Sequence, residues 1–194
     1  MTWWLKVRRV HRILPWTLVA FLAFTLLVRD GVVLMPSLLG GGSAVALTSF
    51  APIPLTVGLM EMLSARLDGP ETSGVRGVRA LDALLTVAVT LFAVLCGLVL
   101  AWPADHPDAA AIGRNSAFLV GLMLCLRAFA GRRAVMAPVA WLMLAILLGA
   151  GRGGRPYAWT VVREPADAWP AALASVLVFL AGAATLFRPP RSLT

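Results

Sequence analysis

A single lysine, Lys6, stands in the whole chain, and Val7 follows it. A phosphate-binding loop of the Gly-Lys-Ser/Thr kind needs a lysine before its hydroxyl residue, so no P-loop ATPase is encoded here. Histidine is almost as scarce. His11 and His106 are the two copies, and neither sits in a His-Glu-x-x-His arrangement that would hold zinc. The two cysteines, Cys96 and Cys125, lie in separate apolar stretches. Each reads as a small buried apolar residue, and two lone thiols make no metal site. Charge is thin as well, at 13% of residues, where a soluble domain carries about 25%. These shortages remove most catalytic chemistry. The chain is read as not an enzyme, with no catalytic, cofactor or metal residues of its own.

Apolar residues are plentiful, at 60% of the chain, and they come in long runs. A soluble fold of 194 residues has no interior large enough to hide them. Six blocks stand out: Ile13–Met35, Ser43–Leu63, Leu81–Trp102, Ile112–Phe129, Val135–Ala150 and Trp169–Phe187. A membrane-crossing helix takes about 20 residues, so each block reads as a span, the fifth being short. The first is read as a span and not a secretory leader. No small-x-small site follows it, and Arg29-Asp30 interrupts the place where one belongs. The expected fold is an all-α integral membrane protein of six spans.

Six spans put both ends on one side. That side holds 12 of the 17 Lys and Arg residues, in the segments of Lys6–Arg12, Arg66–Arg79, Arg127–Arg133 and Arg188–Arg191. The positive-inside rule places it, with both termini, in the cytoplasm. Nine acids split nearly evenly, so the whole formal charge of +8 falls inside. Anionic lipid head groups, not nucleic acid, are the natural partner of that charge in a plasma-membrane protein.

Three segments carry more than a turn requires. In the N-terminal dozen residues, Trp3, Val7, Val10 and Leu14 fall within about 60° of one another at 100° per residue. Lys6, Arg8, Arg9 and Arg12 point elsewhere. Residues 1–12 therefore read as a helix lying in the membrane interface, with Trp3 and Trp4 at the boundary and Pro15 breaking it from the first span. Residues 65–80 form a charged loop between spans two and three, longer than the usual 2–8 residues or so. Asp68-Gly-Pro stops one helix, and Thr72 or Ser73 caps a short one running through Arg76 to Leu81. Its docking residues would be Arg66, Asp68, Glu71, Val75, Arg76, Val78, Arg79 and Asp82. Residues 151–168 form a long outer connection whose middle, from Tyr157 to Val162, is too apolar for an exposed loop. It reads as dipping into the outer boundary, with Tyr157 and Trp159 as interface aromatics near Arg163 and Glu164.

Other signals fail on inspection. Gly40–Ala44, "GGGSA", has a serine but no base to activate it. Pro52 and Pro54 predict a kink in the second span. Glu61 and Arg114-Asn115 lie near span ends and read as boundary anchors.

The order of parts is a basic amphipathic helix, two spans over 13–64, a charged loop, three spans over 81–150, a long outer loop, a last span over 169–187 and a basic tail over 188–194. That order resembles the permease subunits of type-two ATP-binding-cassette exporters. The resemblance implies that Trp3–Arg12 is the family's elbow helix, that Asp68–Asp82 is a coupling segment on a separate ATPase chain, and that Gly151–Ala168, with Tyr157, Trp159, Arg163 and Glu164, is an outer gate. It further implies a second permease copy, or a related permease, and ATP and Mg bound by the partner ATPase. Two other readings stay open: a non-transporting membrane anchor or assembly protein, and a small carrier that uses no ATP.

Overall fold

The computed structural model describes residues 2–28, 31–38, 41–65, 77–102, 107–151 and 156–187. Most of them are helical. A short helix α1, Thr2–Val7, precedes α2, Val10–Val28. Two strands follow, β1 over Val32–Ser37 and β2 over Gly41–Ala46. A 3-10 turn at Leu47–Phe50 leads into α3, Pro52–Ser64. Then come α4, Gly77–Ala101, and α5, Pro107–Ala130. A second 3-10 segment, Gly131–Met136, joins α5 to α6, Ala137–Leu148. A third, Val161–Arg163, lies in the long connection before α7, Trp169–Thr185.

Among the described residues, four helical stretches are long and apolar enough to cross a membrane: Val10–Val28, Leu47–Ser64, Gly77–Ala101 and Ala109–Leu148. Trp169–Thr185 is apolar but shorter. The 40-residue stretch folds back on itself. Phe118 on α5 lies 5.4 Å from Trp141 on α6, ring centre to ring centre. The side chains of Asn115 and Arg163 tie both helices to one short loop segment, through Val162 and Ala145. α5 and α6 are therefore antiparallel. Gly131 makes the reversal with φ of 57°, the left-handed conformation that glycine enters without a Cβ penalty.

α5 is the axis of the bundle and packs against α3, α4, α6 and α7. Phe118, Leu119 and Val120 are all buried, so the middle of α5 is covered around most of its circumference. Small residues set two of the contacts. A Cβ on Gly113 would meet Val94 Cα at 2.7 Å, and one on Gly121 would meet Phe179 Cα at 2.6 Å. Such close backbone approach is a common way for apolar helices to associate in lipid. Five hydroxyls inside the helices are satisfied locally: Thr17, Thr86, Thr90, Ser116 and Ser175 each donate to the carbonyl four residues back, whereas the buried hydroxyl of Thr25 on α2 has no partner among the described residues.

Four expectations from the sequence need correction. The fold is not purely α: β1 and β2 pair antiparallel from Val32 with Ala46 to Ser37 with Gly41. The hairpin takes the tail of the first apolar block and the head of the second. The N-terminal segment breaks at Arg8-Arg9, where Arg9 has φ of 50°, and Pro15 sits inside α2. Pro52 and Pro54 do not kink a span; they open α3, where the first turn has no partner for a proline N–H to lose. Finally, residues 77–82 continue directly into α4 and form no separate surface helix.

Candidate functional site

Two clusters of polar contacts lie at opposite ends of the bundle. The first gathers α1, the end of α3, the start of α4 and the end of α5. Because Arg9 adopts the left-handed conformation, α1 turns off the axis of α2. Arg8, at the corner, points inward and is 2% exposed. Its guanidinium donates to Asp82 Oδ2 at 2.6 Å, to the carbonyl of Leu63 at 3.2 Å and to that of Ala65 at 3.1 Å. Trp4 Nε1 donates to the other carboxylate oxygen of Asp82 at 3.1 Å. Arg127 on α5 also donates to Leu63 O, at 3.0 Å. Leu63 and Ala65 end α3 and Asp82 lies in the second turn of α4, so Arg8 forms a crossbar between the two ends of the charged segment. The last carbonyls of a helix have no intrahelical donors, and two arginines supply them here. Cation at a helix C-terminus also suits the helix dipole.

This departs from the expected layout of the basic residues. Lys6, Arg9 and Arg12 are exposed, but Arg8 and Trp4 are buried against protein. Trp3 belongs to α1, and its side chain lies outside the described residues. Of the docking residues, Arg66, Asp68, Glu71, Val75 and Arg76 lie outside the described residues. Asp82 is 7% exposed and engaged from within, and Val78 packs against the protein's own core. Arg79 is exposed and donates to Phe187 O at 3.2 Å. Glu61 pairs with Arg132 at 2.8 Å on the surface, where such a pair contributes little.

The second cluster caps the other end. Leu147 O, one of the last carbonyls of α6, accepts from Leu38 N at 2.9 Å and from Ser37 Oγ at 3.3 Å, so the hairpin seals that helix end. Arg163 donates to Ala145 O at 3.2 Å. Burial lowers the Arg163 guanidinium from its ordinary pKa; arginine starts so high that it remains a cation. Arg114 on α5 donates to Pro165 O and Glu164 O, both at 2.6 Å, and Asn115 donates to Val162 O at 3.1 Å. The connection before α7 is thus bolted to α5 and α6 by three side chains. Thr160, Val161 and Val162 are buried, whereas Tyr157 is 43% and Trp159 39% exposed. Trp159 stands edge-on to Trp141, 5.8 Å away.

The structure brings Trp159 and Arg163, and the backbone of Glu164, to this cap, and adds Arg114 and Asn115 to it. Sequence reasoning had located that pair at a span end without a partner. The signal was present, since an Arg-Asn pair within an apolar helix must find acceptors. Among the described residues, no three His, Cys, Asp or Glu side chains gather to hold a metal ion. Comparison with protein-family models, with curated proteins and with solved structures finds no match.

Proposed function

We propose that this chain is the membrane-spanning half of an ATP-driven exporter in the cell membrane, worked by a separate ATPase chain and completed by a second copy or a related permease. The observation that carries this reading is the Arg8 crossbar. An ordinary connecting turn gains nothing from a buried ionic tie across its base. A segment that receives force does, because its two flanking helices then move together. Displacement of residues 66–76 acts on the end of α3 and the start of α4, and Arg8 passes it to α1 and α2 through the chain corner at Arg9. Nucleotide-driven closure of the partner ATPases would rock these elements against α5, α6 and α7, a rigid-body route to alternating access.

The same reading takes six crossings with both termini in the cytoplasm. The fold-back of α5 on α6 supports counting that stretch as two, and α7 adds one more. The crossbar end is then cytoplasmic, which agrees with its share of the basic residues.

The test is purification of the tagged chain from its native membrane in mild detergent. An ATPase chain should come with it, and substrate should stimulate hydrolysis. Arg76→Glu with Arg79→Glu should leave membrane abundance unchanged, release the ATPase and abolish stimulation. If the double variant keeps both, docking lies elsewhere. If no ATPase accompanies the wild-type chain, the non-transporting anchor is the better account.

A further inference from the structure

We infer that the outer cap holds a binding slot for an amphiphile with an apolar chain and one hydrogen-bond acceptor, built on Trp141 and covered by Trp159. Indole offers one donor and no acceptor. Trp141 Nε1 is buried and has no hydrogen-bond partner among the described residues. Such donors are rare in folded proteins because leaving them unmade is costly, and each calls for a reason. Ring–ring contact supplies only a weak substitute.

The surroundings fit a ligand. The Trp141 ring touches Phe118 at 5.4 Å and Trp159 at 5.8 Å, ring centre to ring centre. Leu142, Val161 and Ala171 belong to the same buried apolar cluster. The walls would take a hydrocarbon chain, and the indole N–H would fix one oxygen. Of the two flanking rings, Phe118 is 4% exposed and Trp159 39%, so the way in is past Trp159. The loop is built for that difference. Arg114, Asn115 and Arg163 hold its stretch from Val162 to Pro165. Among the described residues, the tip at Tyr157–Trp159 is held by its own turn, Thr160 donating to Tyr157 O through both N and Oγ1, by Tyr157 N on Gly149 O beside the bridge of Pro156 to Ala150, and by the contact of the Trp159 and Trp141 rings. Trp159 can swing without breaking the bolts.

This deepens the transport reading by naming a ligand class, and it rests on that reading only for the purpose of the site. The experiment therefore omits any ATPase, so that either idea can fail alone. The probe is a monoacylglycerol with a chain diazirine and a terminal alkyne, photolysed with the purified full chain in detergent and mapped by peptide mass spectrometry. Saturable labelling is expected in the peptides holding Phe118, Trp141 and Trp159. An unlabelled monoacylglycerol should compete about 2- to 10-fold better than its ether analogue, which lacks the carbonyl. Trp141→Phe keeps the ring and removes the N–H, and should erase that preference while leaving ether competition unchanged. A diacyl phospholipid competing as well as the monoacylglycerol identifies the occupant as membrane lipid; competition by the single chain alone identifies a cargo. Equal competition by ester and ether on the wild-type chain, or labelling that does not saturate, overturns the slot.

Discussion

Arg8 and Asp82 stand 74 positions apart, and their pairing is the contact on which the proposed coupling depends. Both are nearly buried, with side chains 3% and 10% exposed. A buried pair of this kind is costly to halve. Removing one partner leaves the other uncompensated, at about 3–5 kcal/mol, whereas apolar replacements of similar volume are often neutral. Asp82→Ala is thus expected to lower stability by about 3–5 kcal/mol in a dodecyl sulfate unfolding titration. Arg8→Met with Asp82→Leu and Trp4→Phe, which removes the carboxylate together with its two side-chain donors and leaves Arg127 on the Leu63 carbonyl, should return much of that loss while uncoupling ATP hydrolysis from transport. If the triple variant stays fully coupled, the crossbar is only structural. None of this pairing was legible in the sequence. The helical stripe through Trp3 and Val7 set Arg8 among the lipid-facing cations, because a stripe assumes one continuous helix. The left-handed turn at Arg9 broke that assumption and rotated Arg8 inward. Nothing local to Asp82 marked it as internal, since the neighbouring charge in the first turn of α4, Arg79, is exposed.

At the scale of elements, length and hydropathy located the helices well and their ends poorly. The blocks at 81–102, 112–129, 135–150 and 169–187 each hold a helix, from α4 to α7. The first two blocks hid the hairpin, because an apolar strand and an apolar helix look alike without a polar face. The sequence carries two cues: β-branched Val32-Val33, and the glycine run at Gly40–Gly42 three residues beyond Ser37. Glycine sets the contact of α5 with α7. A Cβ at Gly121 would lie 2.6 Å from both Cα and N of Phe179, and backbone cannot step aside as a side chain does. Gly121→Ala should therefore part α5 from α7 and cost about 1–3 kcal/mol. Gly77, in the first turn of α4, meets nothing within 4 Å, so Gly77→Ala should leave stability unchanged or slightly raised. Thermal unfolding of the two variants in micelles measures the difference. Equal midpoints would mean that α5 and α7 do not touch through their backbones.

For the whole molecule, the question is how many times the chain crosses. By length alone, Ala109–Leu148 passes for one long apolar stretch. By geometry it is two antiparallel helices, with Arg132 and Arg133 exposed at the reversal. α6 spans only about 18 Å at 1.5 Å per residue, short of a hydrocarbon core of about 30 Å. As a span, its far end would stop short of the membrane surface, and the hairpin and the connection before α7 supply the donors that its last carbonyls lack there. This accounts for the apolar middle of the connection before α7 and for Arg114, Asn115 and Arg163 facing inward to bolt it. Four crossings and six make opposite demands on Arg133. Were the stretch a single span, residue 133 would sit at mid-membrane and react from neither side. With six, it lies in the cytoplasm. In a chain with Cys96 and Cys125 replaced by alanine, Ser73→Cys and Arg133→Cys should react with a membrane-impermeant maleimide only after the cells are opened. Asp105→Cys should react from outside intact cells. Arg133→Cys left unlabelled in opened cells, or labelled from outside, would undo the six-span arrangement, and with it the cytoplasmic placement of the crossbar.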